Sequence, residues 1–127
     1  ASNDASNMMY EARQALYLQR LKYGAEKITP EVVLRWATEG SASVLGRTDI
    51  GAIAEGMQAD LAMFSLDDIR FSGSHDPLAA LILCGAEKAE HVMVGGQWRV
   101  SHGQINGLDL PALLARHRAA ASKLIAG

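Results

Sequence analysis

Val92-Met93-Val94-Gly95-Gly96-Gln97-Trp98-Arg99-Val100 reads as a β-hairpin. Two short apolar runs flank a pair of glycines, and both glycines can take the positive φ that a type I′ turn demands. Downstream, Ser101 to Gly103 begins a further turn and Gln104-Ile105 returns from it. Upstream, Leu61-Ala62-Met63-Phe64-Ser65-Leu66 reads as a buried-type strand, too short and too uniformly apolar for a surface helix. Asp60 stands at its entrance, where a carboxylate satisfies backbone donors. One β-domain holding both runs is therefore expected. Between them, Asp76-Pro77 offers a cap and a first-turn proline for a helix to Leu83, with Gly85 after it.

The texture on either side is helical. From Ser6 to Tyr23, Met8, Met9, Ala12, Ala15 and Leu16 recur at steps of three and four, and Gly24 is a fitting stop. Thr29 can cap the next helix, with Pro30 at its first position and Glu31 complementing the dipole. Gly40 is expected to break this helix, leaving a short second one from Ser41 to Leu45 ended by Gly46. Asp109 is the expected cap of a last helix from Leu110 to Ile125. Its stripe is Leu110, Leu113, Leu114, His117, Ala121 and Leu124. Helical texture gives way to strands near Arg47 to Ile50, so three pieces are expected: 1–48, 49–107 and 108–127.

The chain has 127 residues, 49% of them apolar, which is a globular composition. Its formal charge of −2, with Lys and Arg scattered singly, argues against nucleic acid held through phosphates. No apolar run approaches the roughly 20 residues of a membrane span, and no secretory signal is visible. A cytoplasmic protein is expected. Cys84, the single cysteine, reads as a buried structural thiol. Ala1 to Met9 lacks an initiator Met and reads as the tail of a loop entering a helix, the end of a larger protein.

No complete catalytic constellation is written here. His75, His91, His102 and His117 form neither a His-x-His nor a His-x-x-x-His pair, so no compact metal site is legible. His117 reads as a packing or surface residue, and His91 and His102 as exposed flanks of the hairpin. His75 reads as a turn residue. Asp4, beside Ser2 and Asn3 at a loop-to-helix junction, reads as a helix cap or as a group at the edge of a site. The glycines precede no Lys-Ser or Lys-Thr, so they make no phosphate loop.

Four stretches together resemble the metal-dependent amidohydrolase superfamily. They are Ser2-Asn3-Asp4 with Met8-Met9; Thr29 to Thr38 through Val44-Leu45-Gly46; Asp49-Ile50-Gly51-Ala52-Ile53-Ala54-Glu55-Gly56-Met57-Gln58-Ala59-Asp60-Leu61; and His75-Asp76-Pro77 with Val92 to Gly96. The third carries the likeness most specifically. The nearest branch is that of the cytosine, guanine and triazine aminohydrolases. Within it, Arg70-Phe71-Ser72-Gly73 and Leu83-Cys84-Gly85 are most similar to the 8-oxoguanine deaminase group.

The resemblance implies an α/β fold class: the last helices of a TIM-type (β/α)8 barrel, part of a small β-sandwich, and a terminal helix. It implies hydrolytic deamination of a purine-like ring by a divalent metal, zinc, that lowers the pKa of a bound water. The implied partners are the remainder of the same barrel, a small heterocyclic substrate and further copies in a homo-oligomer. The family's His-x-His is absent from this chain, and its last-strand Asp would fall before Ala1. No metal held by this chain alone and no catalytic residue within it are therefore expected. Asn3 and Asp4 are the implied residues at the mouth of the site. Alternatives are a triazine or chloro-aromatic hydrolase, a pterin deaminase, or a free-standing binding or scaffold module.

Overall fold

The computed structural model describes residues 7–126. Helix α1 (Met8–Tyr23) starts where the Asn7 Oδ1 accepts the Met9 N–H at 2.9 Å. This cap fixes its first turn; Ser6, the expected start, lies outside the described residues. Arg20 Nε donates to the Ile28 carbonyl at 2.8 Å, which ties the following loop back to α1. Helix α2 (Pro30–Arg35) is capped as expected, the Thr29 hydroxyl accepting from Val32 N–H at 3.3 Å.

Gly40 does not break the helix. Its backbone stays helical (φ −61°, ψ −45°), and the turn Trp36–Gly40 widens to π geometry before α3 (Ser41–Val44). Hydroxyls supply the reason. Thr38 donates to the Leu34 carbonyl at 2.9 Å and Ser41 to the Trp36 carbonyl at 3.3 Å, both competing with the regular ladder.

Strand β1 is Leu61–Met63. It is shorter than the expected Leu61 to Leu66, and Ala62 and Met63 are exposed. Phe64 and Leu66 leave the sheet to pack with Phe71, Ala80 and Ala86. Helix α4 (Pro77–Ala79) is capped by Asp76, whose Oδ1 accepts from Leu78 and Ala79 at 2.9 and 3.1 Å. It runs on as a π-turn, Ala80–Gly85. Cys84 lies half-buried beside the Phe71 cluster, less enclosed than its apolar neighbours in sequence suggest.

The sheet is an antiparallel meander: β1, β2 (His91–Val94), β3 (Gln97–Ser101) and β4 (Gln104–Ile105). Leu61 faces Met93, Val94 faces Gln97, and Ser101 faces Gln104. Gly95 and Gly96 have φ of 57° and 76°, the two positive values of the expected turn. Asp60 Oδ1 accepts the Gly95 N–H at 2.6 Å, so the turn is fastened to the entrance of β1.

A core joins the helices: Leu16 and Ala12 of α1, Val33 of α2, Ile28 between them, and Ile82 of the second π-turn. Helix α5 (Leu110–Ala126) is capped by Asp109 Oδ1 on Ala112 N–H at 3.0 Å. Among the described residues most of its stripe is uncovered, with Leu110, Leu113, Leu114 and His117 all exposed. Leu18 and Leu21 on α1 are likewise 57% and 86% exposed. Among the described residues no helix is long and apolar enough to cross a membrane.

Candidate functional site

The richest polar junction lies at the start of α1. Asn7, already the cap of α1, also donates from Nδ2 to the Glu87 carbonyl at 3.1 Å. One turn on, the Tyr10 hydroxyl bonds the Glu87 carboxylate. That bond comes first among the causes holding the Tyr10 phenol above its ordinary pKa, because an anionic acceptor favours the protonated phenol. Arg13 lies over the Tyr10 ring, 5.3 Å from its centroid.

Opposite stands Arg70. It donates from Nη1 to the Gly85 carbonyl at 3.2 Å, and it lies 3.9 Å from Glu87 Oε1 and 3.7 Å from Asp68 Oδ1. Ser65, Asp68, Arg70, Gly85 and Glu87 help line a cleft of about 380 Å³ here. Its groups are largely engaged. The Ser65 hydroxyl accepts from Asp67 N–H at 3.2 Å, and Asp68 Oδ1 accepts from Arg70 N–H at 2.9 Å. The arrangement joins α1 to the segment after β1 and to the second π-turn. Among the described residues it sets no nucleophile beside a free base.

The remaining sequence candidates fall elsewhere. Asn3 and Asp4 lie outside the described residues. Asp49 is in a two-point pair with Arg47, at 2.8 and 2.6 Å. The Arg47 hydrogen bond is the first cause of its lowered carboxyl pKa. His75 and His117 are exposed. His91 and His102, far apart in sequence and read as separate flanks, come together instead: their ring centroids are 4.8 Å apart, with Glu90 beside them. Spacing along the chain could not reveal this, because the pairing is made across the sheet.

The model of the amidohydrolase family matches residues 1–99. The chain is 72% identical to an 8-oxoguanine deaminase of Pseudomonas aeruginosa, over 100% of this chain and 28% of that protein. It is 36% identical to a hydroxydechloroatrazine ethylaminohydrolase of Pseudomonas sp. strain ADP, over 86% of this chain and 24% of that one. An adenosine deaminase from Xanthomonas campestris, solved with bound zinc, superposes with a TM-score of 0.86. It shares 28% identity, and the match covers 94% of this chain and 28% of that one.

Among the described residues the one grouping of at least three possible ligands is Glu90, His91 and His102. It lies on the sheet, outside the residues lining the cleft at α1. Its two imidazoles and one carboxylate are donors that zinc accepts, but they stand apart from that cleft. The fold is thus related to the TIM barrel and mixed α/β, and the chain spans less than a third of each of these relatives. On the family match and on the identity to these proteins, the chain belongs to the amidohydrolase family.

Proposed function

We propose that this chain is the C-terminal part of a metal-dependent amidohydrolase that hydrolytically deaminates a purine-like ring of the 8-oxoguanine or guanine type. The observation that carries the reading is the 72% identity, unbroken over all 127 residues, to an 8-oxoguanine deaminase. The reaction replaces a ring C–NH2 by C=O, with water consumed and ammonia released. A divalent metal, zinc, belongs to the intact protein, and its ligands lie outside the described residues. No chemical step is assigned to the described side chains.

Their work is structural. Residues 1–48 form the last helices of the barrel, 49–107 part of the small β-sandwich, and 108–127 the terminal helix. The exposed Leu18 and Leu21 of α1 and the bare stripe of α5 support this, since a barrel and a second sheet would cover them. The protein is a cytoplasmic homo-oligomer in this reading. The triazine alternative is weaker because the identity is lower there, 36% against 72%.

Asn3 and Asp4 stand at the mouth of the site. In sequence they come four and three residues before Asn7, whose two side-chain hydrogen bonds anchor the start of α1. The test is ammonia release by the full polypeptide of the reading frame that encodes these residues. Asp4→Ala is expected to lower turnover on the order of tenfold while the protein stays folded, a misplacement-sized effect. His117→Ala leaves turnover unchanged. A silent Asp4→Ala together with an inactive, stable His117→Ala contradicts this placement.

A further inference from the structure

We infer that Glu90, His91 and His102 form a divalent transition-metal site on the β-meander. The first observation is the donor set. One carboxylate oxygen and one nitrogen from each imidazole lie within 4.8 Å of one another. Ligands on one tetrahedral zinc, each about 2.0–2.2 Å from the ion, stand roughly 3.4 Å apart. None of the three side chains is buried, so room is left for the side-chain adjustment that closing this gap requires.

The second observation is how the backbone presents them. His102 is the one non-glycine at positive φ (50°) among the described residues. With Gly103 (φ 71°) it makes the two-residue turn between β3 and β4. The Gly103 N–H then donates to the Glu90 carbonyl at 2.8 Å, so the turn is pinned to the residue that carries the carboxylate. Glu90 is held from its other side, its N–H donating to the Met63 carbonyl at 2.8 Å. The His91 ring is steadied edge-on against Trp98, with centroids 5.7 Å apart and planes at 66°. Three donors therefore stand on backbone already fixed, and ordering them costs little.

The chemistry selects the ion. Two imidazoles and one carboxylate suit zinc, copper or nickel, while magnesium and calcium prefer oxygen ligands. Three protein ligands leave a fourth position to water. A bound ion would clamp the tip of the β3–β4 turn to the start of β2. The alternative is a plain aromatic contact among His91, Trp98 and His102, and the variants are chosen to separate the two.

The test is zinc binding by the full polypeptide of this reading frame, already loaded with whatever metal it retains, in competition with a chromogenic chelator. His102→Asn keeps a side chain that tolerates the left-handed turn but loses the imidazole. His91→Phe keeps the ring contact with Trp98 but loses the donor. The expected result is one exchangeable zinc equivalent in the parent protein that neither variant holds. The affinity loss should exceed the roughly tenfold to hundredfold cost of removing an outer-shell partner. Added zinc should raise the melting temperature of the parent more than that of either variant. Magnesium at the same concentration should not displace the zinc. Equal zinc stoichiometry and affinity in the parent and either variant would overturn the proposal, as would displacement by magnesium. Ammonia release does not enter this readout, so failure here is distinct from failure of the deaminase reading.

Discussion

Leu16→Ala should lower stability by about 2–5 kcal/mol, the usual cost of removing a fully enclosed leucine. Leu16 has no exposed surface, and neither has Ile82. Between them Val33, Ala12 and Ile28 close a core that three separate segments share. Truncation removes contacts with α2 and with the second π-turn at once. The surrounding wall is helical backbone that collapses only partly, so a cavity stays behind. Denaturant unfolding of the full polypeptide measures the effect. A loss under about 1 kcal/mol would mean that α1 does not dock on α2 and Ile82 as described.

Gly85→Val should cost about 2–3 kcal/mol through backbone strain alone. Gly85 has φ 78°, a conformation that a β-branched residue reaches only under strain. A side chain there also meets Arg13: an added Cβ would stand 2.7 Å from Nη2. The Arg13 guanidinium, which lies over the Tyr10 ring, would have to shift. The two contributions separate in a double-mutant cycle. In an Arg13→Ala background the steric part disappears and the φ penalty remains, so the Gly85→Val cost should fall by about 0.5 kcal/mol or more. An unchanged cost would show that Arg13 yields freely, and a cost near zero would contradict the positive φ itself.

Legibility in the sequence followed how local each feature is. The Gly95-Gly96 turn could be read because few residue pairs accept two positive φ values. Thr29, Asp76 and Asp109 cap helices as expected, each through a side-chain oxygen on an N–H two or three residues ahead. Asp60 was legible as a satisfier of backbone donors, though not that its donor would be Gly95.

Features made by non-local contact were not legible. The widened turn at Gly40 depends on the Thr38 and Ser41 hydroxyls, which leave the apolar period intact. The run Leu61 to Leu66 is uniformly apolar, so its pattern cannot show where the sheet ends and packing on Phe71 begins. The meeting of His91 and His102 follows from strand pairing across eleven positions. The Asn7–Glu87 link spans eighty residues and belongs to tertiary structure alone. The stripe on α5 was legible as a burial signal, while most of it stays exposed among the described residues.

The proposed activity of the whole protein, hydrolytic deamination of a purine-like ring, can be measured directly. The direct measurement is ammonia release by the full polypeptide of this reading frame, supplied with zinc and offered 8-oxoguanine, guanine and a triazine in turn. Ammonia is expected from 8-oxoguanine or guanine, with one ring amino group replaced by a carbonyl in the product. Ammonia from the triazine alone, or from none of the three by a folded and metal-loaded protein, would contradict it.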